Sequence, residues 1–220
     1  HNDIGTSVLY IRNIPVLVDA GVGTYTKATF SKEDRYKIWS MQCDWHNLPM
    51  INGVAQQFGR KYKAVDAECD ITKGRFSLEL GKAYPDSAEC ASWRRVYRLS
   101  SGKEPSLEIT DTYSLKARKA ADLWHFLAQG KVFLPGDTYG SILVHDGELL
   151  IVNNIGEDSV VAKMTYPAKM KVSVEEKVLE DPAFVKVWGD CLYRITLENS
   201  ESAPVKGVCK MRITELLPRE

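Results

Sequence analysis

The sequence has no excess of charge of either sign, no closely paired cysteines and no long apolar run, and each absence excludes a class of protein. Lysine and arginine together number 29, as do aspartate and glutamate, so any polyanion has to bind a local basic patch. The five cysteines form no C-x-x-C pair and indicate neither a disulfide framework nor a zinc ribbon. No apolar run reaches membrane-spanning length. We therefore expect no nucleic acid and no membrane as a partner.

Two common enzyme motifs are missing as well. No G-x-S-x-G stretch occurs, which removes the main signal for a serine-nucleophile hydrolase. The stretch GVGTY at 21–25 lacks the third glycine and the following helix of a dinucleotide-binding loop. There is also no initiating methionine and no signal peptide, and a strand pattern begins almost at once. We therefore expect an excised domain of a longer protein.

What the sequence does contain is a series of short runs rich in β-branched and aromatic residues. About a dozen such runs follow one another at regular spacing, and no helices alternate with them. This pattern is typical of an antiparallel β-sandwich. A chain of 220 residues is long enough to bury one sizeable core. We therefore predict a single all-β domain over residues 1–220.

Local signals place two turns and one helix within this pattern. The pair Arg12-Asn13 predicts a tight turn between the first two strands, and Asp146-Gly147 predicts a type I′ hairpin within SILVHDGELLIV at 141–152. The stretch FSKEDRYKIWSM at 30–41 predicts one short helix that begins at Ser31, a good N-cap residue followed by acidic residues.

Two of the four histidines can be brought near one unusual carboxylate. Asp19 ends the apolar strand IPVLVDAG, where a carboxylate costs free energy unless it is paired or binds a cation. Strict pairing of the first hairpin sets Thr6 opposite Asp19, so His1 reaches Asp19 only if the chain bends, for example at Gly5. His46 arrives from the loop in MQCDWHNLPMING. Two imidazoles and one carboxylate are a common three-ligand set for zinc.

A purely structural reading of the same residues stays open at this point. The Asp19 side chain can cap the glycine-containing turn at 21–23. His46 can pack beneath Trp45 as a core residue. The first residue of a chain also carries a free amine, which together with the His1 imidazole can chelate a metal artificially.

Several stretches in order resemble the C-terminal β-sandwich module of the heparinase II/III-like polysaccharide lyases. They are HNDIGTSVLY, VLVDAGVGTYT, RYKIWSMQCDWHNLPMING, SWRRVYRLSSGK and LEITDTYSL. The resemblance covers nearly the whole chain and implies a structural zinc bound by His1, Asp19 and His46. It also implies a catalytic histidine two residues before His1, and an N-terminal α/α toroid domain that carries most catalytic groups. Both are absent from this chain.

The activity that the resemblance implies is β-elimination on an acidic polysaccharide that contains uronate. Such an enzyme neutralises the uronate carboxylate, abstracts the neighbouring proton and protonates the leaving oxygen. Tyr36, in DRYKIW, resembles a tyrosine that some family members place at the cleft, although a helix residue packed on the sandwich is an equal alternative. Asn2, Asp3 and Asn47 flank the implied ligands and either orient them or cap turns.

Candidate cationic groups for an acidic sugar lie in WRRVYR at 93–98. On a strand, Arg94 and Arg98 share one face, while Trp93, Arg95 and Tyr97 share the other. We interpret Arg94, Arg95 and Arg98 as substrate-binding candidates; the structural alternative is a solvated face over a core.

Three functions therefore remain open. The first is the zinc-binding module of a polysaccharide lyase, inactive when isolated. The second is a non-catalytic carbohydrate-binding or domain-scaffolding sandwich. The third is a metal-dependent hydrolase, which needs an exposed metal with bound water. The resemblance favours a periplasmic or secreted location, whereas five unpaired cysteines leave a cytoplasmic one open.

Overall fold

Alternating apolar residues organise the chain into strands that form antiparallel sheets. A computed structural model describes residues 1–216. The sixteen strands, in chain order, are β1 (Leu9–Ile11), β2 (Ile14–Leu17), β3 (Pro49–Met50), β4 (Val65–Asp70), β5 (Arg75–Glu79), β6 (Cys90–Ser100), β7 (Ser106–Leu115), β8 (Leu123–Ala128), β9 (Lys131–Phe133), β10 (Thr138–Tyr139), β11 (Ile142–Leu143), β12 (Glu148–Ile155), β13 (Asp158–Thr165), β14 (Lys171–Val178), β15 (Cys191–Glu198) and β16 (Lys206–Glu215).

The strands form a smaller sheet, a larger sheet and a separate hairpin. The smaller sheet has the order β1-β2-β8-β15-β14, and β3 also pairs with β8. The larger sheet has the order β4-β5-β6-β7-β16-β13-β12-β9, and β10 pairs with β11 alone. Every pairing is antiparallel.

The main core lies between the two sheets and takes alternate residues from each. Trp93 of β6 and Trp124 of β8 are almost fully buried, and their ring centroids are 5.5 Å apart across the two sheets. Tyr113 of β7 stacks on Trp93 at 4.9 Å. One connected apolar cluster includes these residues and further members from β2, β12, β13, β15 and β16. The predicted all-β sandwich is confirmed.

The predicted helix is wrong in place and in kind. Ser31 does accept hydrogen bonds from the backbone N–H groups of Glu33 and Asp34, as an N-cap does. However, the chain then forms separate 3-10 turns, because Ile38 and Gln42 have extended backbones with ψ of 122° and 144°. The α-helices are α1 (Lys27–Phe30), which ends before Ser31, and α2 (Pro182–Trp188).

One predicted hairpin is confirmed and the other is not. The Arg12-Asn13 turn joins β1 to β2 with φ of 50° and 66°, the left-handed values that a type I′ turn requires. A register shift between Leu9 and Tyr10 then removes the strict pairing expected further along. The Asp146-Gly147 turn does not join a hairpin, because β11 pairs with β10 whereas β12 pairs with β13 and β9.

A second apolar cluster covers the outer face of the smaller sheet. Helix α2 and the 3-10 turn at Cys43–Trp45 contribute Phe184 and Trp45, which pack with Leu127 and Leu192. Asp181, the N-cap residue of α2, accepts hydrogen bonds from its own helix and from Thr24. The loop that follows Asp19 is thereby held against the helix.

The described residues include no helix that is long and apolar enough to cross a membrane. All five cysteines are free. Cys43 and Cys209 are buried, as expected for cysteine used as a small apolar residue, while Cys69 is exposed. Burial raises the pKa of the Cys43 thiol to about 12, so this group is an inert thiol at neutral pH.

Candidate functional site

Three backbone segments meet at one edge of the smaller sheet and carry the residues singled out from the sequence. The first residues of the chain are held by the Asn2 N–H, which donates to the Met41 carbonyl at 3.0 Å. The Gln56 side chain accepts from the Ile4 N–H and donates to its carbonyl. Gly5 has φ of 86° and turns the chain back toward β1. The bend expected at Gly5 is confirmed.

Asp19 and His46 are directly bonded. The Asp19 Oδ2 atom lies 2.8 Å from His46 Nδ1, and its Oδ1 atom accepts from the Gly21 N–H at 2.8 Å. Burial raises the pKa of the Asp19 carboxyl, but the bond to His46, its charge and the Gly21 N–H outweigh this, so the pKa is lowered overall. The cap of the following turn, which was the structural alternative, is thus present, and Asp19 also bonds His46 directly.

The other ring nitrogen of His46 has no hydrogen-bond partner among the described residues. His46 is only 1% exposed, and its Nε2 atom is buried. Because an Asp19 carboxylate at Nδ1 favours the tautomer with the proton on Nδ1, Nε2 presents a lone pair. A buried unsatisfied nitrogen is costly in an ordinary core, which makes this atom a candidate ligand.

His46 belongs to a group of three potential metal ligands. His1, Asp3 and His46 each offer one atom, and these atoms all lie within 4.8 Å of one another. The His1 and His46 rings have centroids 5.5 Å apart. This group contains Asp3, for which the sequence predicts only an orienting or capping role. Asp19 is not in the group and bonds His46 at Nδ1. The role of Asp19 as a zinc ligand stays a prediction.

The arrangement matches the pattern in which a carboxylate orients a histidine that binds a metal. In that pattern the ligating histidine donates its other ring N–H to a carboxylate or carbonyl, which fixes the tautomer and the ring orientation. Two imidazoles and one carboxylate suit zinc and leave a fourth position for water or another group. The signal for Asp3 in the sequence was its position two residues after His1, in HND.

Tyr36 lies on the 3-10 turn Arg35–Lys37 and not on an α-helix. Its ring stacks on Phe58 with centroids 4.3 Å apart and planes 8° from parallel. The Gln42 side chain donates to the Tyr36 carbonyl, which ties this turn to the segment before His46. Within residues 1–216 the Tyr36 hydroxyl has no hydrogen-bond partner. Its catalytic role stays a prediction.

The arginines of β6 divide between the two faces as the strand pattern predicts. Arg95 is fully buried, with its guanidinium bonded to both carboxylate oxygens of Asp111. The proposal that Arg95 binds substrate is therefore corrected, because a side chain with no exposed surface cannot contact a polysaccharide. Arg94 is half-buried and bonded to Glu68, whereas Arg98 is exposed. Arg98 is the better placed of these two for an external ligand.

Comparison with known proteins bears on the fold. No protein-family model matches the chain, and no curated protein sequence matches it. A heparan sulfate lyase from Pedobacter heparinus matches its structure over 100% of this chain and 31% of the lyase, with 13% identity and a TM-score of 0.67. A heparinase III matches over 98% of this chain and 30% of its own, with 12% identity and a TM-score of 0.64.

A crystal structure of heparinase III gives the same result, with 15% identity, a TM-score of 0.59 and coverage of 98% of this chain and 30% of that one. The chain thus spans about 30% of the length of the structures it matches. At these identities the likeness concerns the fold, and at that level it confirms the resemblance found in the sequence. The chain has, over its whole length, the fold of one part of these heparan sulfate lyase and heparinase III structures.

Proposed function

We propose that this chain is the zinc-binding β-sandwich module of a polysaccharide lyase that cleaves uronate-containing glycans by β-elimination. The observation that carries the proposal is the candidate ligand group of His1, Asp3 and His46, with its unpartnered buried Nε2 atom. The fold likeness to structures described as a heparan sulfate lyase and heparinase III supports the substrate class.

The metal has a structural role in this proposal. His46 binds it through Nε2, and His1 and Asp3 supply the other protein ligands, with Asp19 orienting the His46 ring through Nδ1. The ligand set of His1, Asp19 and His46 is the alternative. A bound zinc ion would contribute folding free energy by linking the start of the chain to the loop at Cys43–Trp45.

The chemistry requires three tasks: neutralising the uronate carboxylate, removing the proton beside it and protonating the leaving oxygen. The Tyr36 hydroxyl is the candidate in this chain for a proton-transfer group, because its ring is held on a short turn by stacking and the hydroxyl bonds none of the residues 1–216. Arg98 is a candidate for carboxylate binding. The remaining groups come from an N-terminal α/α toroid domain of the same protein.

The test measures product formation by ultraviolet absorbance of the unsaturated uronate. Heparan sulfate, alginate and hyaluronan serve as substrates for the isolated chain and for a protein that joins it to the toroid domain. We expect product from the joined protein and none from the isolated chain. Robust product release by the isolated chain would show that catalysis is self-contained, and the division of labour proposed here would be wrong.

A carbohydrate-binding or scaffolding module is the second candidate, favoured by the observation that the chain spans only about 30% of the matched structures. Glycan binding by the joined protein without any turnover would favour it. A metal-dependent hydrolase needs a metal open to solvent; at the candidate site His46 is buried, whereas His1 and Asp3 are half-buried. Glycan cleavage without the unsaturated uronate product would favour that function.

A further inference from the structure

A fully buried ion pair lies between the two sheets, directly beneath the candidate metal site. Arg95 Nε and Nη2 donate to Asp111 at 2.7 Å and 2.6 Å, and both side chains have no exposed surface. The Trp124 indole N–H donates to Asp111 Oδ2 at 2.8 Å. The carboxylate is thus satisfied, and one further nitrogen of the guanidinium remains free to bond elsewhere.

That further nitrogen and a neighbouring tyrosine reach the backbone that carries the candidate ligands. Arg95 Nη1 donates to the carbonyl of Asn47, the residue after His46, at 2.8 Å. The hydroxyl of Tyr97, two residues along the same strand face, donates to the Gly5 carbonyl, two residues after Asp3. One strand of the larger sheet therefore holds two of the three segments of the site.

Asn47 extends the same network to the third segment. Its side-chain amide N–H groups donate to the carbonyls of Ser7 and Val18, the residue before Asp19. Its side-chain oxygen accepts from the Leu127 N–H at 2.7 Å, and its backbone N–H donates to the Thr6 hydroxyl at 3.1 Å. Every segment that carries His1, Asp3, Asp19 or His46 is thus bonded to this network.

A contribution to stability does not by itself explain a buried ion pair. An apolar pair of similar volume often stabilises a core as well as an ion pair or better, because two charges lose their hydration on burial. Apolar side chains, however, cannot donate a hydrogen bond to the Asn47 carbonyl. The distinctive property of Arg95 is that it joins a fixed carboxylate to the backbone next to His46.

We propose that Arg95, acting through Asn47, and Tyr97, acting through Gly5, are positioning residues that hold the backbone segments of the candidate metal site at ligand distance. This inference rests on the proposed function, because the effect on metal affinity requires the proposed metal site. The hydrogen bonds described above are the evidence that the backbone segments are held in place. Outer-layer groups of this kind commonly change metal affinity by about 10- to 100-fold when they are replaced.

The main experiment compares two double variants that each remove a buried arginine–aspartate pair. Arg95→Met/Asp111→Leu removes the pair described above. The control, Arg118→Met/Asp122→Leu, removes a second, largely buried pair. Its arginine bonds the carbonyls of residues 120, 203 and 204, and its aspartate accepts from the Asn52 N–H, six residues after His46. Neither variant leaves an unpaired buried charge.

The first readout is Zn²⁺ affinity, measured by competition with a chromophoric chelator. We expect about 10-fold weaker binding in the Arg95→Met/Asp111→Leu variant and an unchanged dissociation constant in the control. At saturating Co²⁺, the visible ligand-field spectrum of the first variant should also change, because the spectrum reports ligand geometry. If the pair only stabilises the fold, the Zn²⁺ dissociation constant and the Co²⁺ spectrum should be the same in this variant as in the control.

The second readout needs no metal and is amide hydrogen exchange of the apo chain. The Asn47 and Leu127 amides should exchange faster in the Arg95→Met/Asp111→Leu variant than in the control. If that variant does not fold, Tyr97→Phe removes only the hydroxyl that donates to Gly5. Its matched control is Tyr166→Phe, which removes a hydroxyl bonded to the carbonyl of Glu148.

The outcomes separate this inference from the proposed function. Equal effects of the Arg95 and Arg118 double variants on affinity and exchange would overturn the positioning role. If the wild-type chain binds no Zn²⁺, the proposed metal site is wrong, and amide hydrogen exchange alone tests the positioning role. Unchanged protection of the Asn47 and Leu127 amides in the Arg95→Met/Asp111→Leu variant would overturn the inference, and lost protection would support it.

Discussion

Adjacent arginines on β6 offer a direct test of how strongly the fold depends on the buried network. Arg95→Met leaves the Asp111 carboxylate without exposure to water and with the Trp124 indole as its remaining donor. Breaking a buried ion pair by removing one partner costs about 3–5 kcal/mol. Arg94→Met removes a half-buried arginine whose partner, Glu68, is 63% exposed, and such pairs contribute about 0.2–1 kcal/mol.

The assay is equilibrium urea unfolding, with thermal unfolding as a second measurement. For a chain of this size, 1 kcal/mol corresponds to about 2–4 °C, so Arg95→Met should lower the melting temperature by about 6–20 °C. Arg94→Met should lower it by no more than about 4 °C. A loss of unfolding free energy below about 1 kcal/mol for Arg95→Met, or equal losses for both variants, would contradict the view that the fold depends on the buried ion pair.

Three further predictions concern pH, a turn and catalysis. The pKa of His125 is lowered to about 4 from an ordinary value near 6.5, mainly by burial and secondly by the charge of Arg194. Because the unfolded chain binds the proton more readily, protonation favours unfolding as the pH falls from 6.5 toward 4. Between pH 7 and pH 4 the wild type should lose about 3 kcal/mol of unfolding free energy that a His125→Leu variant does not lose, as measured by urea unfolding. Gly74→Ala should lower the unfolding free energy by more than about 1 kcal/mol, because its Cβ would lie 2.1 Å from the Leu99 carbonyl oxygen; Gly140→Ala, at nearly the same φ but in open space, should cost less. Tyr36→Phe in the joined lyase should keep the fold and the bound metal but lower turnover by about 100-fold or more in the ultraviolet assay.

Each of these predictions has an outcome that contradicts it. Parallel pH profiles for wild type and His125→Leu would mean that the histidine is not held neutral by burial. Equal losses in Gly74→Ala and Gly140→Ala would remove the steric argument and leave only the shared backbone strain. Near-normal turnover with Tyr36→Phe would withdraw Tyr36 from the site and leave it as a stacking partner of Phe58.

The sandwich was predictable because alternation and turn chemistry are local properties. The alternation in WRRVYR correctly separates Arg94 from Arg95, and Arg12-Asn13 adopts the left-handed conformations that its turn needs. The helix predicted over residues 30–41 does not form, because tertiary packing overrides the local signal. Its cap at Ser31 forms, but burial of Met41 and of the following turn bends the chain into separate 3-10 turns.

The candidate site was predictable in its histidines and less so in its carboxylates. Histidine occurs only four times in the sequence, and the structure brings the rings of His1 and His46 together. Only three-dimensional geometry shows that Asp19 bonds His46 Nδ1, and that Asp3 rather than Asp19 lies in the group of possible ligands with His1 and His46. The burial of Arg95 was missed because the strand pattern shows which residues share a face but not whether a charged residue on that face is buried.

The most direct test of the account is the zinc content and Zn²⁺-dependent stability of the purified chain, of His46→Ala and of the control His145→Ala, whose histidine is exposed. We expect about one zinc per chain in the wild type and the control, and none in His46→Ala. At a free Zn²⁺ concentration of about 100 times the dissociation constant, the wild type should gain about 2.7 kcal/mol of unfolding free energy that His46→Ala does not gain. Unchanged zinc content in His46→Ala, or equal stabilisation of all three proteins, would contradict the metal site on which the proposed function rests.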